Sequence, residues 1–135
     1  MLTVGFTGTR RGMTDAQEEV VRRILIERKP TLARHGDCIG ADATFHRICI
    51  ELGIQVILHP CTLRDQRAFC EGANNVLPEK PPLDRNHDIV NASDFMIATP
   101  AEYQDVLRSG TWATIRYARS KKRLYIIRPD RLLTA

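Results

Sequence analysis

The sequence predicts an α/β fold: a single Rossmann-like three-layer sandwich with a mostly parallel sheet of about five strands and helices on both faces. Two observations lead there. Short apolar segments and helical segments alternate about five times along the 135 residues. The segments TVGF, QVIL, FMIA and LYII are apolar on both sides, as buried parallel strands are. Right-handed crossovers then place helices on both faces of the sheet. We expect one domain over residues 1–135.

In the first half of the chain, the spacing of apolar residues and the residues typical of helix ends predict the secondary structure. Residues 2–7 are a β-branched, apolar strand, and a helix follows whose N-cap is Thr14, with Gln17 completing a capping box. Residues 31–36 and 54–59 are predicted strands. Between them, Ala41 begins a helix with a buried stripe at helical spacing, and Gly53 ends it.

The second half begins with a long polar, proline-containing segment at residues 60–82. We expect mostly loop there, with a short helix around residues 65–71, and loops of this length are often functional lids. Residues 84–92 are predicted as a helix, 94–98 as a strand, 110–121 as a helix and 124–127 as the last strand.

Charge and hydropathy exclude several classes of protein. Twenty Lys and Arg residues against sixteen Asp and Glu give a formal net charge of +4, which weakly favours an anionic small molecule. We do not expect nucleic acid as a partner, because the positive charges are scattered apart from residues 119–123. No apolar segment is long enough to span a bilayer, and the N-terminal residues show no signal-peptide pattern. The predicted location is the cytoplasm, without membrane association.

Cysteine and histidine spacing gives no support for a metal centre. Cys38, Cys49, Cys61 and Cys70 form no CxxC motif, as expected for reduced cytosolic thiols. The pairs at positions 35 and 38 and at 59 and 61 lack the spacing of common structural zinc modules. We therefore predict neither a metal nor a cofactor.

Polar turns follow several of the predicted strands, and the carboxyl ends of parallel strands are where such sheets bind ligands. Gly8 permits a close approach, Thr9 offers an N–H and a hydroxyl, and Arg10 offers a planar fork suited to phosphate. This turn is neither a GxGxxG fingerprint nor a Walker loop. A plain strand-ending turn with a surface arginine is the alternative.

The remaining turns offer a similar set of groups. Gly36 and Gly40 bracket a loop before the helix in which Asp42 either caps the dipole or accepts a ribose hydroxyl. Arg85 and Asn86 lie in the first turn of a short helix and are placed to bind phosphate or a base edge, with Asp88 as a further carboxylate; a capped, solvated helix start is the alternative. Ser109, Gly110 and Thr111 form the predicted phosphate cradle at a helix N-terminus.

The motifs GFTGTR, HGDCIGAD, DRNHDIVNASDFMIATP and SGTW, in that order, resemble the SLOG superfamily. That group includes the cytokinin-activating LOG phosphoribohydrolases, the DprA/Smf proteins and the small YspA-like proteins, and the last branch is the most similar. The resemblance covers nearly the whole chain and implies a Rossmann-like sheet that binds nucleotides or nucleotide-derived ligands. It carries the binding role to Gly8, Thr9, Arg10, Gly36, Gly40, Asp42, Arg85, Asn86, Ser109, Gly110 and Thr111.

One departure from the LOG pattern concerns catalysis. Thr114 stands where the LOG enzymes have a catalytic glutamate, so cleavage of an N-glycosidic bond would need Asp42 or Asp88 as the catalytic carboxylate. Three hypotheses follow: a nucleotide-binding sensor or regulator, an N-glycosidase acting on a nucleoside 5′-monophosphate, and a DprA-like DNA-binding module. A homo-oligomer is also left open, with Trp112 or Tyr117 as candidate contacts.

Overall fold

A computed structural model describes residues 2–130; the first residue and residues 131–135 of the expected domain lie outside this range. It shows an α/β fold with one six-stranded sheet and four helices. The strands are β1 (Thr3–Gly8), β2 (Leu32–His35), β3 (Gln55–Leu58), β4 (Asn75–Val76), β5 (Phe95–Thr99) and β6 (Arg123–Ile126). The helices are α1 (Asp15–Arg28), α2 (Ala41–Glu51), α3 (Pro82–Ala92) and α4 (Gly110–Arg119).

The sheet has the order β4-β3-β2-β1-β5-β6, and every neighbouring pair is parallel. This confirms the predicted fold class with one strand more than expected. The sequence does not predict β4, because this strand has only two residues and both are exposed. Its pattern therefore lacks the apolar run that marks the other strands.

The core lies on both faces of the sheet, as a three-layer sandwich requires. Phe6 of β1 stacks on Phe45 of α2, with ring centroids 4.3 Å apart, on the face covered by α1 and α2. Along β5 the side chains alternate: Phe95 and Ile97 join that cluster, whereas Met96 packs with α3 and α4 on the opposite face. This alternation explains why the strand is apolar at every position.

The helix ends agree with the capping chemistry of the sequence. Thr14 accepts a hydrogen bond from the N–H of Gln17, whose side chain accepts one from Thr14, so the predicted capping box is present. The Gln17 side chain also donates to the carbonyl oxygens of Pro100 and Ile127. α3 begins two residues earlier than expected, because Pro82 occupies the first helical position, where proline needs no hydrogen-bond acceptor.

The loop between β3 and α3 differs from the sequence expectation. Instead of a helix at residues 65–71 it contains a 3₁₀ turn, Arg64–Gln66, followed by β4. The loop is held by the buried Asp37, whose carboxylate accepts hydrogen bonds from Arg67 Nε at 2.8 Å and from the N–H of Cys70 at 2.9 Å. The Asp37 carbonyl oxygen also accepts from the N–H of Ala68. The loop is therefore pinned to the end of β2.

The order in which successive strands are added to the sheet changes direction at β1. β2, β3 and β4 lie on one side of β1, and β5 and β6 lie on the other. A crevice opens beyond the carboxyl ends of the strands at such a switch point. Within residues 2–130, no helix combines the length and apolar character needed to cross a membrane.

Candidate functional site

A cleft of about 510 Å³ lies at this switch point, within the size range of small-molecule sites. The starts of α2, α3 and α4 converge on it. It is lined by Phe6, Thr7, Gly8, Thr9, Arg10, Arg11, Gly36, Cys38, Asp42, Gln66, Pro82, Arg85, Asn86, Arg108, Ser109, Gly110 and Thr111. Residues that are distant in sequence, such as Arg10, Asn86 and Thr111, thus line the same polar hollow.

Ten of the eleven predicted binding residues line the cleft. Gly40 does not. Its φ of 92° lies in a region that other residues rarely adopt, and a Cβ there would collide with the backbone of Arg10. The N–H of the next residue, Ala41, donates to the carbonyl oxygen of Thr9 at 3.0 Å. Gly40 therefore lets α2 pack against the first turn and positions that turn indirectly.

The structure does not bring Asp88 to the cleft. Its carboxylate pairs with Lys80 Nζ at 2.6 Å and borders a separate cavity of about 140 Å³. Of the two carboxylates considered for catalysis, only Asp42 lies where a ligand in the cleft can reach it.

Three exposed arginines line the cleft without a compensating acid. Arg10 and Arg11 follow β1, and Arg108 lies just before α4. Among the described residues, none of their guanidinium groups forms an ion pair or hydrogen bond. By contrast, Arg22 and Arg116 each reach a carboxylate. The cleft therefore carries unpaired positive charge, which favours an anionic ligand.

The N-terminus of α4 adds backbone donors to the same wall. Ser109 caps the helix by accepting from the N–H of Trp112 at 3.2 Å. Within the described part of the chain, the N–H groups of Gly110 and Thr111 have no acceptor. Free N–H groups at the positive end of a helix dipole bind phosphate well. Thr114, which the sequence resemblance aligns with the LOG glutamate, is buried and donates a hydrogen bond from its hydroxyl to the carbonyl oxygen of Gly110.

Asp42 is the one carboxylate among the cleft residues and is only 5% exposed. Its Oδ2 accepts from the N–H groups of Gly36 and Cys38, both at 3.1 Å. No donor within residues 2–130 hydrogen-bonds to its Oδ1. Burial raises the pKa of Asp42 to about 6, although Arg85 and the two N–H groups act in the opposite direction. The free oxygen can accept a hydrogen bond from a ligand hydroxyl group, or carry a proton itself in mildly acidic solution.

Arg85 differs from the expectation that it points outward to a ligand. It is only 7% exposed, and Nη1 donates to the carbonyl oxygens of Gly36 and His59 while Nη2 donates to Cys38 Sγ at 3.1 Å. Nε is buried with no hydrogen-bond partner in the described structure. Arg85 thus forms part of the cleft wall, and two of its three hydrogen bonds hold the turn after β2. Arg85 lies on the buried face of α3, and its position in the sequence does not show which face of the helix that is.

Two buried histidines lie behind the cleft. His35 Nδ1 accepts from the N–H of Asp37, so its Nε2 carries the proton and donates to His46 Nδ1 at 2.9 Å. His46 Nε2 then donates to the carbonyl oxygen of Glu71 at 2.7 Å. Their side chains form a possible ligand group with Cys70, all within 4.8 Å. However, this chain of hydrogen bonds already uses all four ring nitrogens, and burial with nearby positive groups lowers the pKa of His35 well below its usual value. The pair fits a structural role.

Several cleft residues were not singled out from the sequence. Arg11 and Arg108 are exposed loop residues whose orientation is set by the backbone around them. The pairing of glycine and threonine turns with adjacent arginines was a usable pattern for both. The sequence pattern gives Cys38 no binding role, yet its thiol lies in the cleft wall, where burial raises its pKa to about 11.

Comparison with known proteins identifies the fold. No protein-family model matches the chain, and no curated protein matches its sequence. Among solved structures, the molybdenum cofactor binding protein from the phototrophic bacterium Rippkaea orientalis is similar over 94% of this chain and 76% of its own, with a TM-score of 0.73 and 14% identity. TM1055 is similar over 92% and 72%, with a TM-score of 0.65 and 16% identity.

A third similar structure is DNA processing protein A from Helicobacter pylori, described with a single-stranded DNA binding mode. The similarity covers 93% of this chain and 64% of that protein, with a TM-score of 0.64 and 21% identity. At these identities the similarities establish the architecture alone. The chain adopts the Rossmann-like α/β fold that these three proteins share.

Proposed function

We propose that this protein binds a nucleotide or nucleotide-derived small molecule in the cleft and acts as a sensor or regulator. One observation carries the proposal. Three unpaired arginines and two free N–H groups of a helix N-terminus meet a carboxylate with a free oxygen in a single hollow. Anion-binding groups and a hydroxyl acceptor in one site match the two parts of a sugar phosphate.

The ligand is oriented by this division of the cleft. The phosphate lies against the N–H groups of Gly110 and Thr111. Arg108, and Arg10 in the turn after β1, supply positive charge to it. Asp42 Oδ1 accepts a hydrogen bond from a ribose hydroxyl, and the Asn86 amide offers an N–H donor and a carbonyl acceptor to a base edge. The proposal agrees with the resemblance to the SLOG superfamily, which remains a prediction.

N-glycosidic hydrolysis of a nucleoside monophosphate is the second candidate function, and Asp42 favours it. A buried carboxylate with a raised pKa, next to a phosphate site, is a common arrangement for acid–base chemistry. In this reaction water would replace the base at the ribose C1′, and Asp42 would stabilise the positive charge at that carbon or activate the water. The hydroxyl of Thr114 is uncharged and is already hydrogen-bonded within its helix, so it does not supply the negative charge that would stabilise this carbon.

Ligand-dependent thermal stability tests the proposal. The protein is heated with AMP, dAMP, ADP-ribose, NAD and cyclic nucleotides; a bound ligand at about 100 times its Kd stabilises the fold by about 2.7 kcal/mol. Arg10→Ala is expected to reduce the shift, whereas Arg23→Ala, which removes an exposed arginine paired only with Glu19, should not. Equal shifts in all three proteins would contradict the phosphate assignment at the first turn.

Two further measurements separate the alternatives. Release of free base from a panel of nucleoside monophosphates would favour the hydrolase, and loss of that release in Asp42→Asn would assign the carboxylate. A salt-dependent gel shift with single-stranded DNA, and no shift in stability with any nucleotide, would favour the DNA-binding alternative instead.

A further inference from the structure

From the charge balance of the cleft, and resting on the proposed function, we infer that the ligand carries two phosphoryl groups, as a nucleoside diphosphate or a nucleoside bisphosphate does.

The four arginines of the cleft fall into two groups. Arg85 is buried and lies in the field of the buried Asp42, and each stabilises the charge of the other. This pair adds little net charge to the hollow. Arg10, Arg11 and Arg108 are exposed, and no acidic group of the described chain lies within ion-pair distance of them. The cleft therefore presents about three uncompensated positive charges to a ligand.

Most arginines elsewhere in residues 2–130 do have partners. Arg22 and Arg47 share Glu51, Arg64 pairs with Glu79, and Arg67 pairs with Asp37. Of the remaining described arginines, Arg28, Arg34, Arg123 and Arg128 instead contact a tyrosine, a histidine or a carbonyl oxygen. The cleft differs because three arginines with neither an ion pair nor a side-chain hydrogen bond line one hollow, and a bound anion would be their partner.

The size of the uncompensated charge selects the ligand. A phosphate monoester carries about −1.5 to −2 at neutral pH, which leaves one of the three arginines without a partner. A second phosphoryl group brings the ligand to about −3 or beyond, which balances the cleft.

The positions of the arginines supply two separate binding places. Arg108 directly precedes Ser109, the cap of α4, so it flanks the free N–H groups of Gly110 and Thr111. Arg10 and Arg11 belong to the turn after β1, and β1 pairs with β5, the strand before that helix. One phosphoryl group lies at the helix N-terminus and the other at the turn after β1.

Calorimetric titration without divalent metal tests this assignment. The probes are AMP, ADP, adenosine 3′,5′-bisphosphate and inorganic pyrophosphate, with the guanine, cytosine and uracil counterparts of the nucleotides so that the choice of base does not decide the result. We expect the preferred two-phosphoryl ligand to bind at least tenfold more tightly than its monophosphate. ADP and the bisphosphate distinguish linked from separated groups, and pyrophosphate shows whether the nucleoside contributes.

The variant Arg11→Ala provides the second arm. It should lower the affinity for the two-phosphoryl ligand more than that for the monophosphate, whereas Arg23→Ala should leave the ratio unchanged. Monophosphates that bind as tightly as the corresponding diphosphates and bisphosphates would overturn this inference and leave the proposed function intact. Absence of binding by every nucleotide in the panel would overturn the proposed function itself.

Discussion

Arg85 and Gly36 make the contact that fixes the second turn of the site: Arg85 Nη1 donates a 2.5 Å hydrogen bond to the Gly36 carbonyl oxygen, and a Cβ at position 36 would overlap that same nitrogen. The guanidinium is thus placed against a stretch of backbone that has no side chain. In this turn, the N–H groups of Gly36 and Cys38 donate hydrogen bonds to the Asp42 carboxylate.

Gly36→Ala should therefore displace Arg85 and loosen the wall of the cleft. We expect the free energy of unfolding to fall by about 1–3 kcal/mol, as for other overpacked buried sites, together with weaker ligand binding. Urea denaturation measures the first effect. Gly110→Ala is the matched control, because a Cβ there meets nothing within 4 Å; an equal loss of stability in both variants would contradict the steric explanation.

Asp42→Asn should weaken binding through the ligand's hydroxyl groups. The amide oxygen can still accept the two backbone N–H groups, so the turn keeps its hydrogen bonds, but the charged acceptor is lost. We expect about a tenfold or greater loss of affinity for a ribonucleotide, which corresponds to about 1.4 kcal/mol, and little change for its 2′,3′-dideoxy analogue. Calorimetric titration compares the two.

The control for this variant is Asp84→Asn, which removes an exposed acid of the first turn of α3 that does not line the cleft. A similar loss of affinity for the ribonucleotide and for its dideoxy analogue would place Asp42 in a general electrostatic role rather than at the hydroxyl groups.

Buried histidines should make the protein less stable in mildly acidic solution. Burial and nearby positive groups lower the pKa of His35 well below 6.5, and burial with Arg34 lowers the pKa of His59 to about 4. Between pH 6.5 and about 4 the unfolded chain therefore binds protons that the folded chain does not, so these groups reduce the free energy of unfolding as the pH falls. The raised pKa of Asp42 acts in the opposite direction below pH 6.

His59→Gln tests this dependence, because glutamine can still accept the hydrogen bond from Arg34 Nη1 but does not titrate. Chemical denaturation at a series of pH values should show a shallower loss of stability for the variant than for the parent. Parallel curves for the two proteins would rule out His59 as a contributor.

Gln17→Met should destabilise the fold although it keeps the size of the side chain. The amide donates to the carbonyl oxygens of Pro100 and Ile127 at 2.9 and 2.8 Å, and its oxygen accepts from the Thr14 N–H of the capping box, so two buried carbonyl oxygens and one backbone N–H would lose a partner. An unpaired buried polar group costs about 1–3 kcal/mol. Gln55→Met, at an exposed position of β3, should change stability by less than about 0.5 kcal/mol; the difference between the two melting temperatures measures the contribution.

Much of the fold followed from the sequence because its signals are local. The apolar runs of β1, β3 and β5 and the Thr14–Gln17 capping box depend on neighbouring residues only, and the structure contains each of them. β4 could not be predicted in this way. Its two residues are exposed, and they pair with β3 only because the pinned loop carries them alongside it.

The site followed from the sequence at the level of turns but not of side-chain direction. Parallel topology brings the turns after β1 and β2 and the start of α4 to one edge, so Gly8, Gly36 and Gly110 could be grouped before the structure. Whether Arg85 faces a ligand or the backbone, and whether Asp88 reaches the cleft, depends on the rotation of α3. That rotation is set by the packing of Ile89 and Val90 against the sheet.

The attachment of residues 67–70 to Asp37 has a consequence for the proposed site. Gln66, which directly precedes this segment, lines the cleft, so the attachment gives that side of the proposed site a preformed wall. Uncompensated cations at the entrance steer small anions inward and speed their capture, an effect that dissolved salt reduces. We therefore expect fast association that slows as salt is added, while the residence time of the ligand depends on the contacts inside the cleft.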